Sequence, residues 1–262
     1  MVAPLNDIHP QALVAGSARL GRGNRVQAGA IIEDGVELGD DNLILPYAIV
    51  KTGTRMGNGN AVHEHAVLGG APQDLSFNGS STTLEIGDGN VFREGVTISC
   101  GCKGEGCTRI GHRNYLMASV HVGHDCQLGN DIVMANGVLL AGHVDIEDRA
   151  FISGAVLVHQ FCRIGCLAML SGGTRVGLDA PPFFITEGFA ARVRGLNLVG
   201  LKRAGLRPAE ISAIKNAYRV LFRARRPLAE ILAELSVSDE MHVRHLYEFL
   251  SASRRGFCRG EL

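Results

Sequence analysis

The stretch IHPQALVAGSARLGRGNRVQAGAIIEDGVELGDDNLILPYAIV, residues 8–50, decides the fold. Every sixth residue is aliphatic: Ile8, Val14, Leu20, Val26, Ile32, Leu38, Ile44 and Val50. The phase runs on through Met56, Val62 and Leu68 and resumes at Ile86, Phe92 and Ile98. It resumes again at Ile110 and holds through Leu116, Val122, Leu128, Met134, Leu140, Ile146, Ile152, Val158, Ile164 and Leu170 to Val176. Gly often follows the anchor, as in Leu20-Gly21 and Leu128-Gly129. A small or short polar residue stands four positions after it, as at Ala18, Asn24, Ala30 and Asn42. A period of six fits neither a helix nor simple strand alternation. It is the signature of a parallel β-helix, in which each short strand points one anchor inward and then turns a corner. The predicted fold class is mainly β: a hexapeptide-repeat parallel β-helix over residues 1–182, then a linker and α-helical domain over 183–262.

With three hexads to a coil, residues 18 apart stack at the interstrand spacing of about 4.8 Å, and the column is roughly 40 Å long. Two Gly- and polar-rich excursions, 69–85 and 99–109, leave the coil. Insertions of this kind collect on one side of a solenoid and often form binding loops, although any single one is as easily a tolerated surface loop. The repeat ends at Asp179-Ala-Pro-Pro182. From Arg207-Pro208 apolar residues recur at helical spacing (Ile211, Ile214, Tyr218, Leu221), and Leu228–Leu235 and Val243–Leu250 suggest two further helices.

Gly is 34 of 262 residues and Trp is absent, which fits many tight turns around a narrow aliphatic interior. Formal net charge is zero but unevenly spread. Residues 1–182 carry 12 Lys+Arg against 18 Asp+Glu, and 183–262 carry 14 against 8. The basic tail includes Arg207, Arg219, Arg223, Arg225 and Arg226. Such a face suits an anionic partner, or is simply solvated. The N-terminus lacks the pattern of a signal peptide and no run is long enough for a membrane span. Seven cysteines with no evident framework fit a reducing compartment, so the expected location is cytoplasmic. Neither a nucleic-acid partner nor stable membrane insertion is expected.

The chemistry gathers in LMASVHVGHDCQLGN, Leu116–Asn130. Adding 18 to His124 gives Gly142, and adding 18 again gives Gln160. His121 shares a coil with His124, His143 follows Gly142, and His159 precedes Gln160. Imidazoles around a glycine N–H suit general-base catalysis with oxyanion stabilisation. In acyl transfer to a hydroxyl, His124 would deprotonate the acceptor, and Asp125 or another carboxylate would fix its tautomer. Two other readings stand beside this one. The histidines could hold Zn²⁺ in a hydratase, or the file could be a polar ladder on a non-catalytic β-helix. Cys100, Cys102 and Cys107 lack the spacing of common zinc sites and read as incidental thiols. Cys126, two residues from His124, is a conceivable nucleophile on the same side of the strand, with nothing in the sequence to activate it.

These motifs resemble the acyl-(acyl carrier protein)–UDP-N-acetylglucosamine O-acyltransferase family. The resemblance spans the whole chain and rests on Gln73-Asp74-Leu75, His121-x-x-His124-Asp125-Cys126, Leu140-Ala-Gly-His143-Val, Val158-His159-Gln160-Phe161-Cys162 and Asn197-x-x-Gly200-Leu-Lys202-Arg203. It implies a left-handed β-helix and a homotrimer with active sites between subunits. It also implies transfer of a (3-hydroxy)fatty acyl chain from the carrier-protein thioester to the sugar 3-hydroxyl, the first step of lipid A biosynthesis, with no metal, cofactor or acyl-enzyme. On that footing His124 is the general base and Gly142 the oxyanion donor. Gln73, Asp74, His121, His143, His159 and Gln160 contact sugar nucleotide and acyl-pantetheine, Asn197 and Arg203 the nucleotide end. Met169 and Gly172 fall at the acyl-length ruler, where glycine leaves room for a longer chain. Acidic acyl carrier protein would dock on the basic tail. The family usually has Lys at Ser76, an acidic residue at Val199, a second Arg at Ala204 and His-Arg at Ser99-Cys100. These lost charges leave a 3-amino analogue of UDP-N-acetylglucosamine, or another sugar nucleotide, as the alternative acceptor.

Overall fold

The computed structural model describes residues 5–224 and 226–260, so Arg225 of the basic tail lies outside the described residues. Twenty-six short strands, from Asp7–Ile8 to Arg175–Val176, match the anchors one for one. They stack into three parallel faces. The first face includes Tyr115–Leu116, Val133–Met134, Phe151–Ile152 and Met169–Leu170; the second includes His121–Val122, Leu139–Leu140 and Leu157–Val158; the third includes Gln127–Leu128 and Asp145–Ile146. The register is 18 residues, as at His121↔Leu139 and Leu139↔Leu157. It widens to 30 at Val62↔Phe92 and to 24 at Phe92↔Leu116. Both excursions therefore insert whole multiples of six, and the anchors stay in phase.

The anchors form one continuous core, in which Val50, Val62, Phe92, Leu116, Met134 and Leu170 are fully buried. The second inward position carries an amide ladder. Asn42 donates Nδ2–H to Asn24 Oδ1 at 3.0 Å, and Asn60 and Asn90 continue upward at the same distance. Stacked amides satisfy one another where lone polar groups would be costly to bury. Cys126 occupies the equivalent inward position: it is buried and directs its thiol to the Ala141 carbonyl. It does not share the side of His124, contrary to what strand alternation predicts, because the chain turns a corner at 124–125 from the second face to the third.

The outward positions differ by face. The third face carries Arg19, Glu37, Arg55, Glu85, Arg109, Gln127, Asp145 and Arg163 in register, charges of alternating sign interrupted once by the neutral Gln127. The first face presents Leu43, Val91, Val133, Phe151 and Met169 with Asp7, Arg25 and Tyr115 among them; the second presents Ile31, Ile49, Val67, Leu139 and Leu157 with Thr97, His121 and Arg175.

The expected linker is partly structured. Phe184–Glu187 pairs in parallel with Met169–Leu170, and Arg192–Leu196 folds back antiparallel on it. Among the described residues four helices follow: α1 (Leu198–Arg203), α2 (Pro208–Arg223), α3 (Leu228–Ser236) and α4 (Met241–Ser251). Pro208 starts α2, and the Glu210 carboxylate reaches back to the Arg207 N–H. The short α1 had no counterpart in the sequence reading. Ile214, Leu221, Leu246 and Phe249 pack with Phe183 and Phe184 into a second core. His245 Nε2 meets Glu147 Oε2 at 2.8 Å, and Arg163 donates to the Phe249 carbonyl, tying this domain to the β-helix. Among the described residues no helix is long and apolar enough to cross a membrane.

Candidate active site

His124 and Asp125 form one corner between the second and third faces, with Asp125 in the left-handed region at φ 59°. One coil on, Gly142 and His143 form the next corner, and Gln160 and Phe161 the one after. The links are His143 N–H to the His124 carbonyl at 2.9 Å and Phe161 N–H to the Gly142 carbonyl at 3.3 Å. The vertical file His124–Gly142–Gln160 is thus real. Beside it runs a second file: the His143 ring lies edge-on to His124 and stacks on Phe161, with centroids 4.6 Å apart.

His124 is only 8% exposed. Its Nδ1 lies 2.8 Å from Asp125 Oδ2, while Nε2 faces Asp74 Oδ2 at 3.6 Å. A carboxylate on Nδ1 keeps the ring proton there and leaves the Nε2 lone pair free. The ring lies directly over Gly142: a Cβ at residue 142 would stand 2.5 Å from Nε2. Glycine is required for space, not for backbone conformation. Among the described residues, no acceptor takes the Gly142 N–H. A basic nitrogen and an unclaimed donor therefore share one small volume.

The first excursion delivers Gln73 and Asp74 to this point. Both line a cavity of about 470 Å³ with His121, His124, Gly142, His159 and Gln160. Ser76, at one of the family departures, donates its hydroxyl and its N–H to Asp74 Oδ1, which holds the Asp74 carboxyl below the usual carboxylate range. His121 Nδ1 pairs with Thr97 Oγ1 at 2.8 Å, and burial pushes its pKa down, which favours the neutral ring. His159 Nδ1 lies against the Gln160 carbonyl. The second excursion, expected with the first to act as a binding loop beside the histidines, delivers the Cys102 N–H to Asp125 Oδ2 at 3.0 Å.

Met169, Asn197 and Arg203 do not join this group within one chain. They line a separate cavity of about 770 Å³ on the first face, with Arg113, Arg149, Val199 and Ala204. Asn197 is engaged structurally: it caps α1 by accepting from the Gly200 N–H and donates to the Leu167 carbonyl. Gly172 lies in the corner between the first and second faces and lines neither cavity, although Met169 before it and Arg175 after it line one each. His124, Asp125 and His143 offer donor atoms within reach of one cation, but the His124–Asp125 bond consumes Nδ1 and one carboxylate oxygen. Cys126 has no nucleophilic character, since burial pushes its thiol up to about 12.

A family model described as Udp N-acetylglucosamine O-acyltransferase, domain 2, matches residues 179–258. A protein of Alkalilimnicola ehrlichii named acyl-[acyl-carrier-protein]–UDP-N-acetylglucosamine O-acyltransferase is 46% identical over 197 residues, 74% of this chain and 76% of its own. The UDP-N-acetylglucosamine acyltransferase of Bacteroides fragilis superposes with a TM-score of 0.94 at 38% identity, covering 96% of this chain and 100% of that one. The Francisella novicida enzyme gives 0.93 at 34% identity, covering 96% and 94%. With the hexad β-helix, the His124–Asp125 corner and its glycine in place, the chain belongs to the acyl-[acyl-carrier-protein]–UDP-N-acetylglucosamine O-acyltransferase family.

Proposed function

We propose that this enzyme transfers a fatty acyl chain from acyl carrier protein to the 3-hydroxyl of UDP-N-acetylglucosamine, in lipid A biosynthesis. The observation that carries the reading is the His124 Nε2 lone pair, held toward a cavity beside the free Gly142 N–H. Nε2 removes the acceptor proton as that oxygen attacks the thioester carbonyl. The Gly142 N–H stabilises the resulting oxyanion, and the carrier sulfur leaves with the proton held by the imidazolium. No metal or cofactor enters these steps. Family membership turns the choice away from a zinc hydratase or a non-catalytic module.

The two apolar faces beside one charged face support a homotrimer, in which each chain's first face meets its neighbour's second. Such a ring brings the cavity holding Asn197, Arg203 and Met169 against the one holding His124. Gly172 then lies at the seam, where it leaves space for a long acyl chain. The cytoplasm, where acyl carrier protein works, is the proposed location; all seven cysteines are free.

A second reading has its own observation. Val199 and Ala204 make apolar lining where the family carries charge, and Ser76 ties up Asp74. These changes favour a 3-amino analogue as acceptor. Purified enzyme supplied with acyl carrier proteins of graded chain length, against both sugar nucleotides, decides between them. Turnover on neither acceptor would refute the proposal.

A further inference from the structure

The second excursion touches the catalytic corner at three points. Cys102 N–H donates to Asp125 Oδ2 at 3.0 Å, the same oxygen that meets His124 Nδ1. Asp125 N–H donates to Thr108 Oγ1 at 2.8 Å. Gly106 lies under the carboxylate, where a Cβ would stand 2.8 Å from Asp125 Oδ1.

The Thr108 contact differs from those at the neighbouring corners, although the left-handed Gly35 likewise donates its N–H to the Ser17 hydroxyl. At neighbouring corners the left-handed residue donates its N–H to a backbone carbonyl one coil earlier: Asp131 to His112, Arg149 to Asn130, His143 to His124. At Asp125 the residue 19 positions earlier is Gly106, and its carbonyl accepts from the Thr83 N–H instead, at 3.1 Å. The buried Thr108 hydroxyl stands in for it. A left-handed, non-glycine residue holds its conformation only where the surroundings fix it, and the direction of the Asp125 carboxylate follows from its backbone.

We infer that Thr108 is a positioning residue: its hydroxyl anchors the Asp125 backbone, and with the Gly106 close approach it aims the carboxylate at His124 Nδ1. The second excursion is then a structural brace for the base, distinct from the first, which lines the substrate cavity. This rests on the acyl-transfer reading for its kinetic consequence, but not for its structural one.

The test uses full-length enzyme carrying Thr108→Val, which keeps the shape and removes the acceptor. Misaiming a catalytic group by about an ångström costs on the order of 10²-fold in rate. We expect a kcat loss of that size with KM for the sugar nucleotide unchanged and a displaced acid limb in the pH profile. Thr108→Ser restores both. Nitrogen-15 spectra of the His124 ring report the same link without turnover: Thr108→Val should lose the Nδ1-protonated signature that the parent and Thr108→Ser keep. If Thr108→Val folds poorly, Thr108→Ala, which removes the same acceptor with less bulk, gives the same readout. An unchanged ring signature in Thr108→Val or Thr108→Ala overturns the inference. A changed signature with unchanged kcat upholds the brace and counts instead against His124 as base.

Discussion

His124 Nδ1 and Asp125 Oδ2 lie 2.8 Å apart, although the two residues are adjacent in sequence. Neighbouring side chains in a strand point to opposite faces. Here the left-handed conformation of Asp125 turns its carboxylate back onto the preceding ring. The pair is thus built within a single corner, and the coils on either side hold it.

Asp125→Asn removes the carboxylate while keeping its shape. The amide no longer dictates the tautomer, so kcat should fall by on the order of 10²–10⁴-fold, with 10⁴ seen when a triad aspartate is changed this way. KM for UDP-N-acetylglucosamine should hold. Steady-state kinetics check this, and an Asn variant as fast as the parent rules out the pairing.

Gly142→Ala puts a methyl where the His124 ring lies, 2.5 Å from Nε2. Because Gly142 is in an ordinary backbone region, the damage should be local. We expect a kcat loss of at least about 10²-fold from the displaced ring, with the β-helix circular-dichroism signal retained. A crystal structure of the variant should find the imidazole rotated off the file.

Cys126→Ala should leave kcat intact, and thiol alkylation of the native enzyme near neutral pH should spare this residue. Burial holds the thiol protonated, with a pKa pushed up to about 12. Mass spectrometry of the alkylated protein reads the outcome. Labelled Cys126 with matching inactivation would contradict it.

The helical domain should be clasped more firmly at lower pH. The hydrogen bond to Glu147 raises the His245 pKa above 6.5, with Glu248 adding to the shift and Arg163 opposing it. A raised folded-state value means the contribution is full below the unfolded pKa and fades as pH rises through the folded one. The Tm difference between parent and His245→Gln should therefore be larger at about pH 5.5 than at about pH 8.5. A difference independent of pH would remove the clasp.

Much of this was legible in the residues. The anchors mark the inward side of each strand, and excursions of whole hexads never disturb the phase, so the His124–Gly142–Gln160 file could be counted out directly. What the count missed was direction at the corners. Asp125 was one carboxylate among several candidates until its backbone conformation singled it out, and Cys126 points inward because the corner turns before it. The alternating charges of the third face were hidden by the jumps of 30 and 24 residues between Arg55, Glu85 and Arg109. The strands 184–187 and 192–196 carry no hexad; they form because the last strand of the first face offers a free edge. Nor does Thr108 belong to any motif. Its hydroxyl receives the Asp125 N–H where the Gly106 carbonyl is turned to Thr83.

The most direct measurement is the turnover of His124→Ala with acyl carrier protein thioester and UDP-N-acetylglucosamine. The account predicts that acyl transfer is abolished while the assembly state and melting behaviour of the protein are unchanged. Retained turnover in a folded variant would contradict it.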